Sequence, residues 1–129
     1  VLTGTISPDA FTAAIGVTPS RTQVSQTRPE GIKDVAAGWF LTSQGKFGSR
    51  DVRRHIDYLL DRIEGKADAL VSVCRSGGSA DIMCYWVTAS GQGGPSLLPE
   101  QMARLSALNL EIWFDIYTGV SADDHSNGG

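Results

Sequence analysis

With 129 residues, 41% hydrophobic content and a formal net charge of −3, the chain suits one domain with its own core, and no run is long enough for a membrane helix. The negative balance argues against a nucleic-acid partner, and it is uneven: residues 1–66 hold nine basic and seven acidic side chains, residues 67–129 two and seven. Two cysteines, Cys74 and Cys84, are too few for a disulfide framework and read as buried thiols of a reducing cytoplasm; His55 and His125 are isolated, so no zinc spacing exists and no cofactor is expected.

Residues 1–6 alternate as a strand, with Leu2, Gly4 and Ile6 on one face and Thr3 and Thr5 on the other. Ser7-Pro8-Asp9 is a helix start, and the helix turns Phe11, Ala14 and Ile15 inward before Gly16 stops it. Residues 18–37, with Pro19 and Pro29 and many hydroxyls, read as a long surface loop. Residues 38–43 form a strand with Trp39 and Leu41 inward.

The longest periodic stretch is 51–75. Val52, Ile56, Leu59, Leu60, Ile63, Ala67, Leu70, Val71 and Cys74 recur at steps that place them on one side of a long central helix capped by Ser49 or Asp51. Gly65 lies inside it and predicts a kink or a break. After Ser76-Gly77-Gly78, residues 80–87 alternate as a strand, with Ile82, Cys84 and Trp86 on one face and Asp81, Met83 and Tyr85 on the other. A glycine-rich loop over 89–96 leads to a helix opened by Pro99-Glu100 and carrying Met102, Leu105 and Leu108. Residues 110–117 alternate strictly as a strand. Residues 1–120 therefore form one α+β domain, and 121–129 a disordered polar tail. The element order predicts a ferredoxin-like sandwich: a four-stranded, mostly antiparallel sheet, helices on one face, and the long helix inserted between two split β-α-β units.

Several pieces in this order resemble a bacterial family known as domain of unknown function 4279. They are Ser7-Pro8-Asp9 through Gly16-Val17-Thr18-Pro19, Gly38-Trp39 with Leu41, then Ile56, Leu59-Leu60 and Ile63, and Cys84-Tyr85. The most distinctive are Gly91-Gln92-Gly93-Gly94 followed by Leu98-Pro99-Glu100, and Asp115-Ile116-Tyr117. The similarity spans about Ile6 to Tyr117 and is weakest over 21–37. It implies an α+β fold in a bacterial intracellular setting, and no activity comes with it.

Three places offer chemistry. The sheet face away from the helices would show Thr3, Thr5, Phe40, Thr42, Met83, Tyr85, Glu111, Trp113, Asp115 and Tyr117; aromatics with carboxylates suit a flat polar ligand or a peptide, a second copy of the chain, or simple cover by the 18–37 loop. Lys46, Arg50, Arg53, Arg54 and His55 cluster at the start of the central helix, where free amides attract anions, although Asp57 and Asp61 offer Arg53 and Arg54 partners along the helix. Gly91-Gln92-Gly93-Gly94 lacks the spacing of a dinucleotide loop and reads as a turn. Glu111 and Asp115 stand roughly 13 Å apart along one strand, too far for a retaining glycosidase pair.

The residues therefore point away from an enzyme and toward a binding or interaction module. It would use the open sheet face through Phe40, Tyr85, Trp113, Asp115 and Tyr117, as a homodimer or with a protein or small-molecule partner, and with no nucleic acid and no membrane. The alternative is a small anion- or phosphometabolite-binding protein or enzyme built on Lys46, Arg50, Arg53 and Arg54.

Overall fold

The computed structural model describes residues 1–118, so the tail expected at 121–129 lies outside the described residues. It is a mixed α+β structure with four helices and two two-stranded sheets.

α1 (Pro8–Ile15) forms as the sequence directs. Ser7 Oγ accepts from the Ala10 amide at 3.1 Å, and Gly16 ends the helix at φ 73°, a geometry cheap only for glycine. Phe11 and Ile15, four apart, are buried; Ala14, expected beside them, is exposed on the flank of that stripe. Trp39 meets Phe11 edge-on at 5.0 Å and donates its indole N–H to Thr12 Oγ1 at 3.0 Å, which locks α1 onto the strand that carries Trp39.

Residues 18–37 are not a plain loop. β1 (Arg21–Gln23) pairs antiparallel with β2 (Gly38–Phe40), and a further bridge joins Gln26 to Val35. Residues 1–6 are not a strand either. Leu2 makes single antiparallel bridges to Gly38 on one side and Ser79 on the other, and the chain then turns at Gly4. The facing is the reverse of the alternation expected, with Thr3 wholly buried and Leu2 exposed. Close backbone approach explains it. A side chain at Gly78 would strike the Leu2 carbonyl, and one at Gly4 would strike Ser76, so two glycines let residues 2–4 press flat on the segment after the helices.

The central helix is two helices. α2 (Val52–Ile63) starts at Asp51, whose carboxylate accepts from the Arg53 amide at 3.0 Å, and α3 (Ala67–Arg75) follows a break at Gly65, φ 87°. The break resets the helical phase. Val52, Ile56, Leu60 and Ile63 are buried on α2, as the period predicts, but α3 buries Ala69, Leu70 and Val73 while Val71 and Cys74 face outward.

β3 (Asp81–Thr88) and β4 (Glu111–Thr118) run parallel in unbroken register, Asp81 opposite Glu111 through Thr88 opposite Thr118, joined by α4 (Pro99–Ala107). The four expected strands thus do not close into one mostly antiparallel, ferredoxin-like sheet. β1–β2 and β3–β4 are separate pairs, with Leu2 bridging Gly38 of β2 to Ser79, just ahead of β3. Ile82, Leu105 and Leu108 bring β3 and α4 into the core shared with α1, α2 and α3.

Leu60 is fully buried at the centre of that core, whereas its neighbour Leu59 only lines it. Leu60→Ala should cost about 2–5 kcal/mol in chemical denaturation, and Leu59→Ala clearly less.

Candidate functional site

Alternation on β3 and β4 sorts their side chains into two layers. Ile82, Cys84 and Trp86 with Ile112 and Phe114 turn toward the helices and are buried or half-buried. Asp81, Met83, Tyr85 and Val87 with Glu111, Trp113, Asp115 and Tyr117 turn the other way. On that outer side Met83 is 50% exposed, Tyr85 62%, Val87 48%, Trp113 42% and Tyr117 48%. The segment 18–37 does not cover them.

The face is internally ordered. The Trp113 indole donates to Asp81 Oδ2 at 3.1 Å, the Tyr117 hydroxyl donates to Asp115 Oδ2 at 3.2 Å, and the Tyr85 and Tyr117 rings lie 5.2 Å apart at 45°. The hydrogen bond to Asp115, and then the charge of that carboxylate, hold the Tyr117 phenol above its ordinary range. Tyr85, Trp113, Asp115 and Tyr117 are thus brought together as expected. Phe40 is not with them. It lies on β2, in the other sheet, with the Arg21 guanidinium 3.9 Å from its ring centre. Thr3 is sealed in the interior.

At the start of α2 the basic residues are brought to one end of the helix, but the carboxylate of Asp51 occupies the amide end. Asp51 accepts from the Arg53 amide, from Arg53 Nε at 2.9 Å and from Arg53 Nη2 at 2.9 Å, and these bonds hold its acid below the usual carboxylate range. Arg54 lies 5.4 Å from the Phe47 ring centre, while Lys46 and Arg50 are exposed.

Two arrangements here escaped the sequence. His55 Nε2 donates to the Ser49 carbonyl at 2.7 Å, and Nδ1 lies 2.7 Å from Ser43 Oγ in a second hydrogen bond, with Phe47 stacked on the imidazole at 4.5 Å. The pair pins the 43–49 turn to α2. The second is the joint between α2 and α4. Asp57 and Asp61 do not pair with Arg53 and Arg54. With Glu64 they hold Arg104 of α4, at 3.2 Å, 2.6 Å and 2.9 Å. Beneath them the buried Gln101 donates to the Arg53 carbonyl at 2.9 Å and to Asp57 at 3.1 Å, and accepts from the Leu98 amide at 2.9 Å. Met102, expected inward, is 52% exposed in its place. The signal existed: Gln101 stands four and seven residues ahead of Leu105 and Leu108, on their stripe.

A cleft of about 450 Å³ opens where β3 and β4 begin, lined by Cys74, Ser79, Ser106, Asn109 and Glu111 among others. The C-terminal ends of α3 and α4 border it. Among the described residues no three His, Cys, Asp or Glu side chains are grouped to hold a metal, and no helix is long and apolar enough to cross a membrane. The glycine-rich loop does follow a parallel strand and precede a helix, but it carries no basic residue. The α4 start is filled by Gln101 Oε1, with Glu100 in the first turn, so nothing there favours a phosphate.

The model of the family described as domain of unknown function 4279 matches residues 1–119. The chain belongs to this family. No curated protein and no solved structure matches it with significance. In this member of the domain of unknown function 4279 family, the outer side of β3 and β4 sets exposed Tyr85, Trp113 and Tyr117 beside Asp81, Glu111 and Asp115.

Two measurements check this geometry. Gln101→Leu, although more apolar, should lower stability by about 1–3 kcal/mol because it strips partners from half-buried backbone groups. In a spectrophotometric titration the phenol missing from Tyr117→Phe should be one that ionises above the ordinary range near 10.0, and Asp115→Asn should bring it down.

Proposed function

We propose that the chain is a non-enzymatic protein-interaction module whose contact surface is the outer side of β3 and β4. The observation that carries this is the exposure of Met83, Tyr85, Val87, Trp113 and Tyr117 on two adjacent strands, interleaved with Asp81, Glu111 and Asp115. Aromatic and apolar side chains held in a fixed array offer contact area at little ordering cost, and the carboxylates select a partner that presents amides or basic groups. The same carboxylates repel a phosphate backbone, which disfavours nucleic acid. A flat polar small molecule would use the same rings. The setting supposed is a bacterial cytoplasm, with which two free thiols, Cys74 and Cys84, are compatible.

Met83→Ala combined with Tyr85→Ala removes two of the three exposed apolar side chains of β3 without touching the core. Wild-type protein immobilised in lysate should retain a discrete partner that rebinds once purified, and the double variant, with an unchanged melting curve, should lose at least tenfold in affinity. Equal binding by the two proteins would refute the face as the contact surface.

A further inference from the structure

β4 has a second edge. β3 lies on one side of it, and along Glu111–Tyr117 no backbone hydrogen bond between described residues reaches the other. Exposed edges of this length are ordinarily blunted by charged side chains, lysine above all, by proline or by a bulge. Glu111–Thr118 carries the carboxylates Glu111 and Asp115 but no lysine and no proline, and its register with β3 runs without a bulge. Ile116 is a second sign. By alternation it belongs with Ile112 and Phe114 on the helix side, yet it is 56% exposed.

We infer that β4 pairs antiparallel with β4 of a second copy of this chain, about a twofold axis at Phe114. A twofold axis keeps the same side of both sheets uppermost, so opposed residues share a side and one residue must face its own copy. Charge then chooses the register. Centred on Trp113, Glu111 opposes Asp115 of the second copy twice over. Centred on Asp115, that carboxylate opposes itself. Centred on Ile112 or Ile116, much of the strand is left unpaired. Centred on Phe114, the ladder takes in residues 111–117 of both copies, and no carboxylate faces another. Glu111 opposes Tyr117 of the second copy, Asp115 opposes Trp113, and Ile116 is covered by Ile112. The product is a four-stranded sheet, β3–β4–β4–β3, whose aromatic and acidic side is twice as wide. This inference deepens the open-face reading, because it names a second copy as the partner of that surface's margin.

Sedimentation equilibrium on the full chain should give a mass of twice 13.7 kDa at micromolar concentration. Trp113→Asp sets carboxylates opposite Asp115 at two places and should weaken the dimer about tenfold, and Asp115→Lys added to it should restore the affinity. Circular dichroism confirms that each variant is folded. In a background of Cys74→Ser and Cys84→Ser, Glu111→Cys chains mixed with Tyr117→Cys chains should cross-link on oxidation, and neither should do so alone. A wild-type monomer at 100-fold higher concentration (hundreds of micromolar, on the order of the weakest specific dimers) would overturn the proposal, as would failure of both the charge rescue and the mixed cross-link. Met83→Ala with Tyr85→Ala, which tests the face, should remain dimeric; a monomer there would show that faces rather than edges associate, and would overturn edge pairing.

Discussion

Parallel strands cannot be joined by a tight turn; the chain must leave one end of the sheet, cross a face and return. In this molecule the crossing is α4, and its side of the β3–β4 pair decides everything else about the surface. Leu105 and Leu108 fill the helix side with Ile82. Gln101 and Arg104 then tie α4 to α2 rather than to solvent. With α1, α2, α3 and α4 all sharing one core, no helix among the described residues remains for the opposite side of β3 and β4. The bare face is therefore a consequence of the topology, not an accident of composition. Parallel pairs are usually covered on both sides, and this one carries five large exposed side chains on its outer side.

What the sequence made legible is what short-range rules govern. The start and stop of α1, the cap at Asp51, the break at Gly65 and the alternation of β3 and β4 each follow from residues within a few positions of one another. The period over 51–75 was sound for α2 and failed for α3, because a residue at φ 87° turns the second helix on its axis and exchanges Val71 and Cys74 for Ala69 and Val73. What it hid depends on distant partners. β1 has only three residues and is defined by pairing with β2 across the hairpin. The inward side of residues 1–4 is set by glycines at positions 4 and 78. Asp57 and Asp61 have plausible helical partners in Arg53 and Arg54, and only the packing of α4 shows that Arg104 takes them instead. Of the candidate face, four of five named residues were legible, since strand alternation needs no partner to be read. Phe40 failed because its sheet is a different one.

The other candidate sites share a feature that separates them from this face. At the start of α2 the anion is already present as Asp51, bound by Arg53 through its amide and its guanidinium. At the start of α4 the amide partner is Gln101 of the same helix. Ser43 and His55 resemble half of a nucleophilic pair, but both imidazole nitrogens are spent on holding the 43–49 turn in place, with Phe47 over the ring. In each case the backbone or imidazole groups that would greet a ligand are already engaged by the chain itself, although Lys46 and Arg50 stay exposed. On β3 and β4 the balance is reversed. Asp81 and Asp115 each hold one hydrogen bond from a neighbouring ring, which fixes the rings in place while leaving the second carboxylate oxygen unoccupied by those bonds. The apolar area between them remains in water. Burial there would not first require breaking an internal contact, and that asymmetry, rather than any single residue, sets this side of the molecule apart from the other candidates.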